Sequence, residues 1–520
     1  IKPSYYIIAW FYAYKITLSL QIFYIFLLNT VDHMVFTTPV FLFLFLPFTL
    51  GLYFLMQKRY RNALLLVMSS AFYFFGEQRM LFLMYGVILL NYCIALLFSY
   101  IDNKINSNLI TAKRGHLFKK SALIICVCIC IGLLWYFKYW HFSIDIFNKT
   151  ASFLGINYQL SLVDKILLPL GISFYTFHVL SYTFDVYQGK MKADKNLLNF
   201  MAYVLMFPQL VAGPIVRYID IQKQFEHRII TINGFSNGIR RFCFGFAKKV
   251  LIANTVAKAA DKIFALPVDQ IDFATAWLGA GCYALQIYFD FSGYSDMAIG
   301  LAAMFGFKYK ENFNYPYISK TVGEFWRRWH ISLSTWLRDY VYISLGGSRN
   351  GKLKYYFNIM FVFLCSGLWH GANMTFVLWG AWYGIFIIIE SIFLKQFLQS
   401  KNILSHIYAL LVIIFGWVLF RADNVSYGIS YWLQMLKLNT FNWQTASEYL
   451  QNDILIALVI GIILSIDWRP LYKKLVCHNK THLRFLFFKS AGYICAFALF
   501  LLSVTSIMSN TYNPFIYFRF

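Results

Sequence analysis

Apolar segments of roughly twenty residues alternate with shorter basic segments along most of the chain. A helix of that length fits the hydrocarbon core of a bilayer and satisfies its own backbone hydrogen bonds there. The strict alternation of polar and apolar residues that a membrane strand needs does not recur. The pattern therefore predicts an all-α fold, that of a polytopic transmembrane helical protein. The main apolar segments are residues 40–56, 63–76, 80–100, 121–140, 166–184, 273–307, 355–372, 374–393, 404–420, 454–466 and 491–508.

The composition supports this prediction. Of the 520 residues, 60% are hydrophobic, 21% are aromatic and only 13% are charged, and the mean hydropathy is +0.57. A soluble domain of that composition would not stay dispersed in water. The formal net charge of +24 could indicate a nucleic-acid partner, but the basic residues lie between the apolar segments, as in the cytoplasmic loops of membrane proteins. We therefore expect a multi-pass protein of the cell (inner, cytoplasmic) membrane and no nucleic-acid partner.

The basic loops also predict the topology. Residues 201–216 lie between two loops that should both be cytoplasmic, so this segment cannot be a single crossing. Pro208, Gly213 and Pro214 interrupt any helix there, and we expect a re-entrant or interfacial element. The whole chain is predicted to make about ten to twelve crossings. The loops predicted to be cytoplasmic are residues 57–62, 102–120, 185–196, 217–249, 308–354 and 469–489.

The first 33 residues are interpreted separately from the rest. They form a hydrophobic segment that lacks the small-residue cleavage site of a signal peptide, and Met34 after them would serve as a start by itself. Residues 1–33 are therefore expected to be an extra N-terminal helix or an upstream extension. Residues 34–520 are expected to form one membrane-embedded domain.

Two histidines, His330 and His370, lie among tryptophans in segments with few polar groups. An ionisable ring within a membrane domain is a functional-site candidate, although a buried structural histidine is an equal alternative. His370 follows Lys354, the last basic residue before its apolar segment, by 16 positions (370 − 354). At 1.5 Å per residue that is up to ~24 Å into a core of ~30 Å. We expect His370 deep in the membrane and His330 nearer the cytoplasmic side.

The chemistry of these residues suggests acyl transfer. A neutral imidazole can take the proton of a hydroxyl that attacks a carbonyl, and His370 is the candidate for that role. Arg327 and Arg328 precede His330, and their guanidinium groups suit the phosphates of a nucleotide-tailed acyl donor. Snorkelling interface anchors are the alternative for both arginines. Trp329 and Trp369, next to the two histidines, are further candidates for donor contact.

Other catalytic patterns are not found in the sequence. No histidine is followed by aspartate five positions later, and no Walker A loop, HExxH or GxSxG motif occurs. His178 is a lone ring on an apolar helix and is interpreted as structural. The nine cysteines are scattered, and Cys128 points away from Cys126 and Cys130 at helical spacing, so no metal site is predicted.

Five collinear motifs carry a family resemblance: LPLGISFYTF (168–177), MFPQLVAGPIVRY (206–218), YFDFSGYSDMAIGLAAMFGF (288–307), ENFNYPYISKTVGEFWRRWHISLSTWLRDYVYISLGG (311–347) and GLWHGANMTFVLWG (367–380). They resemble the membrane-bound O-acyltransferase (MBOAT) family, within it the alginate O-acetylase and peptidoglycan O-acetyltransferase branch. The resemblance runs from Met34 to the C-terminal FIYFRF. Two departures are visible, Ser344 in place of a usual proline and Tyr383 in place of a common histidine.

The resemblance implies that His370 is the catalytic histidine and that His330 is the second histidine of the active site. It also implies that an acyl group, expected to be acetyl, passes from a cytoplasmic donor such as acetyl-CoA to hydroxyls of an extracytoplasmic polysaccharide, often through a partner acetyltransferase. No bound cofactor is expected, since the acyl donor is a substrate. The sequence does not identify the acceptor, the partner or the oligomeric state.

A transporter or flippase without acyl-transfer chemistry is the alternative from another class. It would use Asp290 and Asp296, which lie within one long apolar segment, as an ion or proton relay. No fixed-period repeat is evident in the sequence, which argues against an inverted-repeat transporter.

Overall fold

The computed structural model describes residues 34–161, 166–211, 213–400, 402–471, 474, 482–509 and 512–514. Every regular element in those ranges is a helix, which confirms the all-α prediction. The extra segment expected at residues 1–33 and the C-terminal FIYFRF lie outside the described residues, as does part of the basic segment 469–489.

The N-terminal half of the described chain contains eleven α-helices, most of them apolar. Their bounds are α1 Leu46–Leu55, α2 Arg61–Glu77, α3 Met80–Asn106, α4 Ala112–Leu134, α5 Trp140–Phe153, α6 Ile172–Tyr187, α7 Leu197–Leu205, α8 Phe207–Leu210, α9 Tyr218–Glu226, α10 Ile232–Ala247 and α11 Asn254–Phe264.

The C-terminal half adds eleven more within the described residues. They are α12 Phe273–Met304, α13 Val322–Arg328, α14 Ile331–Leu337, α15 Lys352–His370, α16 Met374–Ile389, α17 Lys395–Ser400, α18 Asn402–Arg421, α19 Val425–Leu436, α20 Trp443–Ser447, α21 Asn452–Leu464 and α22 His482–Ser509.

Short 3₁₀ and π turns lie between or extend these helices. The 3₁₀ turns are Lys58–Tyr60, Val268–Gln270, Pro316–Ile318 and Leu438–Thr440, and the π turns are Phe41–Phe45, Trp135–Tyr139, Lys248–Ala253, Arg338–Tyr342 and Glu390–Leu394. A π turn inserts a residue into a helix and often marks a functional site. Three of them continue one helix into the next, α4 into α5, α10 into α11 and α16 into α17.

Five helices of the described chain are long and apolar enough to cross a membrane. They support a multi-pass membrane protein, while the larger number of crossings stays a prediction. The five are Met80–Asn106, Ala112–Phe153, Met374–Leu394, Asn402–Arg421 and Phe488–Ser509.

The segment predicted to be re-entrant is broken in the structure. Helix α7 ends at Leu205, and the four-residue helix α8 begins at Phe207 with Pro208 in its first turn, where a missing backbone N–H costs nothing. All four residues of α8 are buried. Protein therefore covers this interrupted backbone, as the membrane interior requires.

Helices α10 and α11 pack closely against α12. A Cβ atom on Gly245 would lie 2.6 Å from the carbonyl oxygen of Gly293, so only glycine allows this approach. The same helix pair holds the two aspartates of the transporter hypothesis. Asp290 pairs with Lys249 at 2.7 Å, and Asp296 pairs with Arg241 at 2.8 Å. Both carboxylates therefore tie one helix to another.

Helices α15 and α16 form the hairpin that carries His370. A Cβ atom on Gly367 would lie 2.2 Å from the carbonyl oxygen of Phe376, so the two backbones nearly touch near the end of α15. The Asn373 side chain caps α16 by accepting a hydrogen bond from the Thr375 backbone N–H at 3.1 Å. The position of His370 is thereby fixed by a short turn between two closely packed helices.

Candidate active site

His370 is the last residue of α15, and only 4% of it is exposed. Three aromatic rings surround the imidazole, with centroid distances of 4.9 Å to Trp369, 5.0 Å to Trp379 and 5.1 Å to Phe420. The next residue is Gly371, where a Cβ atom would overlap the Phe376 ring. The glycine of the WHG motif therefore allows the chain to turn inside this aromatic cage.

His330 is the second residue of the two-residue link, Trp329 and His330, between α13 and α14. Its φ is +42°, a left-handed conformation that is uncommon for a residue with a side chain and costs about 1–3 kcal/mol. Two backbone hydrogen bonds hold it there, from Asn314 N to Arg328 O and from Ile331 N to Asn312 O, both 2.9 Å. Such strain persists where the surrounding structure imposes it, and it is often found at functional sites.

Asn312 sets the tautomer of His330. The Asn312 Oδ1 atom accepts a hydrogen bond from the Ser332 backbone N–H at 3.2 Å, which identifies it as the amide oxygen. The His330 Nδ1 atom lies 3.2 Å from the same oxygen and must carry a proton to bond with it. Among the described residues Nε2 of His330 has no hydrogen-bond partner. A neutral His330 thus presents a basic nitrogen at Nε2.

The structure brings the two histidines together at one indole. The Trp369 ring lies 5.9 Å from the His330 ring and 4.9 Å from the His370 ring, between centroids, and the two imidazoles are close enough to interact electrostatically. His330 is fully buried and also contacts Phe291. Forty residues apart in sequence, the two rings form one buried site.

A cavity of about 560 Å³ adjoins this site. Its volume falls in the range of small-molecule sites, and its wall is mainly apolar with a few polar groups. Arg327 and Arg338 supply the positive charge, and Ser366 on α15, one helical turn before His370, belongs to the wall. This cavity, called the arginine cavity below, therefore extends from Arg327 and Arg338 to the turn of α15 that precedes His370.

Arg328 and Trp329, two of the four donor-contact candidates, lie away from this cavity. Arg328 pairs with Glu324 at 2.9 Å and donates to the backbone oxygen of Asn314 at 3.1 Å, and it does not line the cavity. Trp329 is buried and packs on Trp417 at a centroid distance of 4.8 Å. Successive side chains of an α-helix point about 100° apart, so the two neighbouring arginines lie on different faces of α13.

Asp339 carries a negative charge close to the arginine cavity. Burial alone would raise the pKa of its carboxyl group, but the guanidinium groups of Arg338 and Arg217 outweigh burial and hold that pKa below its usual value. Arg217 bonds to Asp339 at 2.9 Å, and Arg338 bonds to it at 2.7 Å. The carboxylate is therefore ionised at neutral pH and anchors Arg338 at the cavity edge.

A second, much smaller cavity reaches His370. It measures about 30 Å³, enough for one or two water molecules, and its walls include Lys138, Ser173, Trp369 and His370. None of its lining residues belongs to the arginine cavity. His370 thus lines a different cavity from the one that Arg327 lines.

Sequence reasoning did not single out Asn312 or Lys138. Asn312 gave no usable signal, because its role depends on a contact with a residue 18 positions away. Lys138 did give a usable signal. It is a lysine within an apolar segment, and in a membrane domain such a residue indicates a functional site.

Comparison with known proteins gives one consistent result. The model of a family described as MBOAT, membrane-bound O-acyltransferase family, matches residues 175–431. A protein named "probable alginate O-acetylase" from Pseudomonas aeruginosa is 46% identical over 412 residues, covering 79% of this chain and 76% of the relative. Its namesake from Pseudomonas putida is 41% identical over 500 residues, which cover 94% of this chain and all of the relative.

A third relative has a different named acceptor. The peptidoglycan O-acetyltransferase of Helicobacter pylori is 34% identical over 467 residues, covering 81% of this chain and 85% of the relative. The similarity therefore extends over most of the chain and includes both histidines within the matched family region.

Proposed function

This chain belongs to the membrane-bound O-acyltransferase family, and from that premise we propose that it acetylates hydroxyl groups of an extracytoplasmic polysaccharide at a site built on His370 and His330. The enzyme class follows from the family, and the relatives are named for O-acetylation. Acetyl-CoA as the donor, the polysaccharide as the acceptor and the two histidines as the catalytic residues are parts of the proposal.

One observation carries the proposal. The two histidines contact one indole, with an arginine-lined cavity ending one helical turn before His370 and a separate small cavity at His370 itself. The basic segment 308–354 contains both arginines and is assigned to the cytoplasm by its charge. A donor with phosphate groups would therefore enter from the cytoplasm along Arg327 and Arg338, and the acceptor would approach from the other side.

The reaction follows from this arrangement. The acceptor hydroxyl oxygen attacks the carbonyl carbon of the acetyl thioester, and the His370 imidazole takes the hydroxyl proton. The tetrahedral intermediate then collapses, the carbon–sulfur bond breaks, and the thiolate of the donor leaves and is protonated. His330 points a basic Nε2 into the same site and is proposed to orient the reacting groups or share the proton.

The remaining parts of the proposal concern the cellular setting. The relatives act on alginate or on peptidoglycan by name, and either polymer is a candidate acceptor here. We propose the cytoplasmic membrane as the location, about ten to twelve crossings, and an extracytoplasmic partner acetyltransferase that completes delivery to the polymer. Residues 34–520 are proposed to form one membrane-embedded domain, and residues 1–33 an extra N-terminal hydrophobic segment or an upstream extension.

Purified protein in lipid vesicles tests the proposal. With acetyl-CoA labelled in the acetyl group, we expect release of free CoA or transfer of the label to an added oligosaccharide of alginate or peptidoglycan, and either result supports acyl transfer. The transporter alternative receives no support from the comparisons, and it predicts movement of a solute with no release of CoA. Label that crosses the membrane while all CoA stays acetylated would reject acyl transfer.

The arginine cavity makes a specific prediction about the donor. Arg327→Ala should raise the KM for acetyl-CoA about 10- to 100-fold, because a hydrogen-bonded charge pair contributes about 1.5–3 kcal/mol and 1.4 kcal/mol is tenfold in affinity. The initial rate of CoA release at varied acetyl-CoA measures this change. Arg328→Ala is the matched control, since Arg328 is the neighbouring residue but pairs with Glu324 away from the cavity. Equal KM values for the two variants would contradict the donor assignment.

A further inference from the structure

A π turn between α4 and α5 directs two neighbouring side chains to the end of α15. Lys138 Nζ donates to the carbonyl oxygens of Trp369 at 2.5 Å and of His370 at 3.3 Å. The Tyr139 hydroxyl donates to the carbonyl oxygen of Leu368 at 2.5 Å. Both donors belong to the turn Trp135–Tyr139. One turn therefore supplies hydrogen bonds to three consecutive carbonyls of the helix that ends in His370.

Those three carbonyls are the ones that need partners. The last four carbonyl groups of an α-helix have no hydrogen-bond donor within the helix, and a buried carbonyl group left without a donor is costly. Gly367, the first of the four, accepts from the Gly371 backbone N–H at 3.4 Å. Lys138 and Tyr139 satisfy the remaining three at Leu368, Trp369 and His370. The helix end is thus completely capped, and a different helix supplies most of the cap.

The charge of Lys138 fits the same role. A cation at the carboxyl end of a helix is favoured by the helix dipole. A lysine near the end of an apolar segment would otherwise extend its side chain to the membrane surface. Here the ammonium group turns inward, reaching Ser173 Oγ at 3.4 Å as well as the helix end, and it lies 6.0 Å from the Trp369 ring centroid.

We propose that Lys138 and Tyr139 are positioning residues that fix the His370 imidazole by holding the last turn of α15. This inference rests on the proposed function of His370. Because His370 is the last helical residue, its Cα position and side-chain direction depend on whether that turn is held or frays. An error of about 1 Å in the placement of a catalytic group can lower the rate about 100-fold.

Three variants test the proposal in the vesicle assay. Lys138→Met keeps the length of the side chain and removes the donor, and we expect kcat to fall about 10- to 100-fold with the KM for acetyl-CoA unchanged. Lys138→Arg restores a cationic donor and should recover part of that loss. Tyr139→Phe removes one hydroxyl group and should lower kcat by a smaller factor. Lys149→Met is the control, since Lys149 is exposed on α5 and pairs only with Asp145 among the described residues.

The outcomes separate this inference from the proposed function. Wild-type kcat in both Lys138→Met and Tyr139→Phe would overturn the positioning role and leave the function of His370 intact. A raised KM for the polysaccharide at unchanged kcat would also overturn it, because Lys138 would then bind the acceptor. If Lys138→Met fails to fold, Lys138→Arg and Tyr139→Phe decide the question by their kcat values at unchanged thermal stability. Full activity of His370→Ala would instead reject the proposed function.

Discussion

His370→Ala is expected to abolish acetyl transfer while the protein stays folded. Loss of a general base costs about 10²- to 10⁴-fold in rate. The cage itself should survive, because Trp369, Trp379 and Phe420 also contact residues other than His370. The measurement is the initial rate of CoA release in vesicles that contain acetyl-CoA and an oligosaccharide acceptor.

The control for this variant is His116→Ala. His116 is an exposed residue in the first turns of α4, within a segment assigned to the cytoplasm, and its removal should leave the rate unchanged. The elution volume in detergent and the thermal midpoint should be the same for both variants. Acetyl transfer at the wild-type rate in His370→Ala would exclude His370 as the base.

His330→Asn is expected to lower the rate at least about 100-fold. Asparagine is a better choice than alanine here, because it adopts the left-handed conformation of residue 330 more readily than most residues do. The variant therefore removes the imidazole without adding backbone strain. Rates are to be measured at saturating acetyl-CoA, so that a change in donor affinity does not contribute.

Asn312→Ala is a milder variant that tests the same imidazole of His330. It removes the acceptor that fixes the Nδ1 proton of His330, together with the hydrogen bonds of Asn312 to Ser332 and Ser295. The bond to His330, at about 0.5–1.5 kcal/mol, predicts a fall in rate of about 2- to 10-fold. A wild-type rate in His330→Asn would show that the second histidine is structural. An Asn312→Ala rate lower than that of His330→Asn would show that Asn312 acts by some route other than this ring.

The helical architecture could be predicted from the sequence, because length and hydropathy are properties that a membrane imposes locally. The segment predicted at 355–372 is α15, and the segment predicted at 404–420 is α18. The break at 201–216 was predictable for the same reason, since proline and glycine act on the backbone where they stand. The number of crossings is a weaker prediction, because some helices of this chain are short or distorted.

The two histidines could also be found from the sequence, since ionisable rings within apolar segments are costly. Their meeting at Trp369 could not, because it depends on the packing of α13 and α14 against the end of α15. The different directions of Arg327 and Arg328 were not predicted either. Both are basic and adjacent in sequence, and only the structure shows that Glu324 engages one of them.

The contacts that cap the end of α15 could not be predicted from the sequence. Lys138 and Trp369 are separated by 231 positions, and nothing local to either residue indicates the contact. The π turn that directs Lys138 and Tyr139 to the same helix end has no sequence signature of its own. Long-range polar contacts of this kind inside a membrane domain are therefore seen only in the three-dimensional structure.

The aromatic cage around His370 has a consequence for side reactions. A base that removes a proton from a sugar hydroxyl would do the same for water, and the thioester would then be hydrolysed to acetate with no ester formed. The small cavity that His370 and Trp369 line has room for one or two water molecules, and Trp379 and Phe420 also pack against the imidazole. If acetyl transfer proceeds at His370 as proposed, this enclosure would slow hydrolysis of the bound thioester until a sugar hydroxyl arrives.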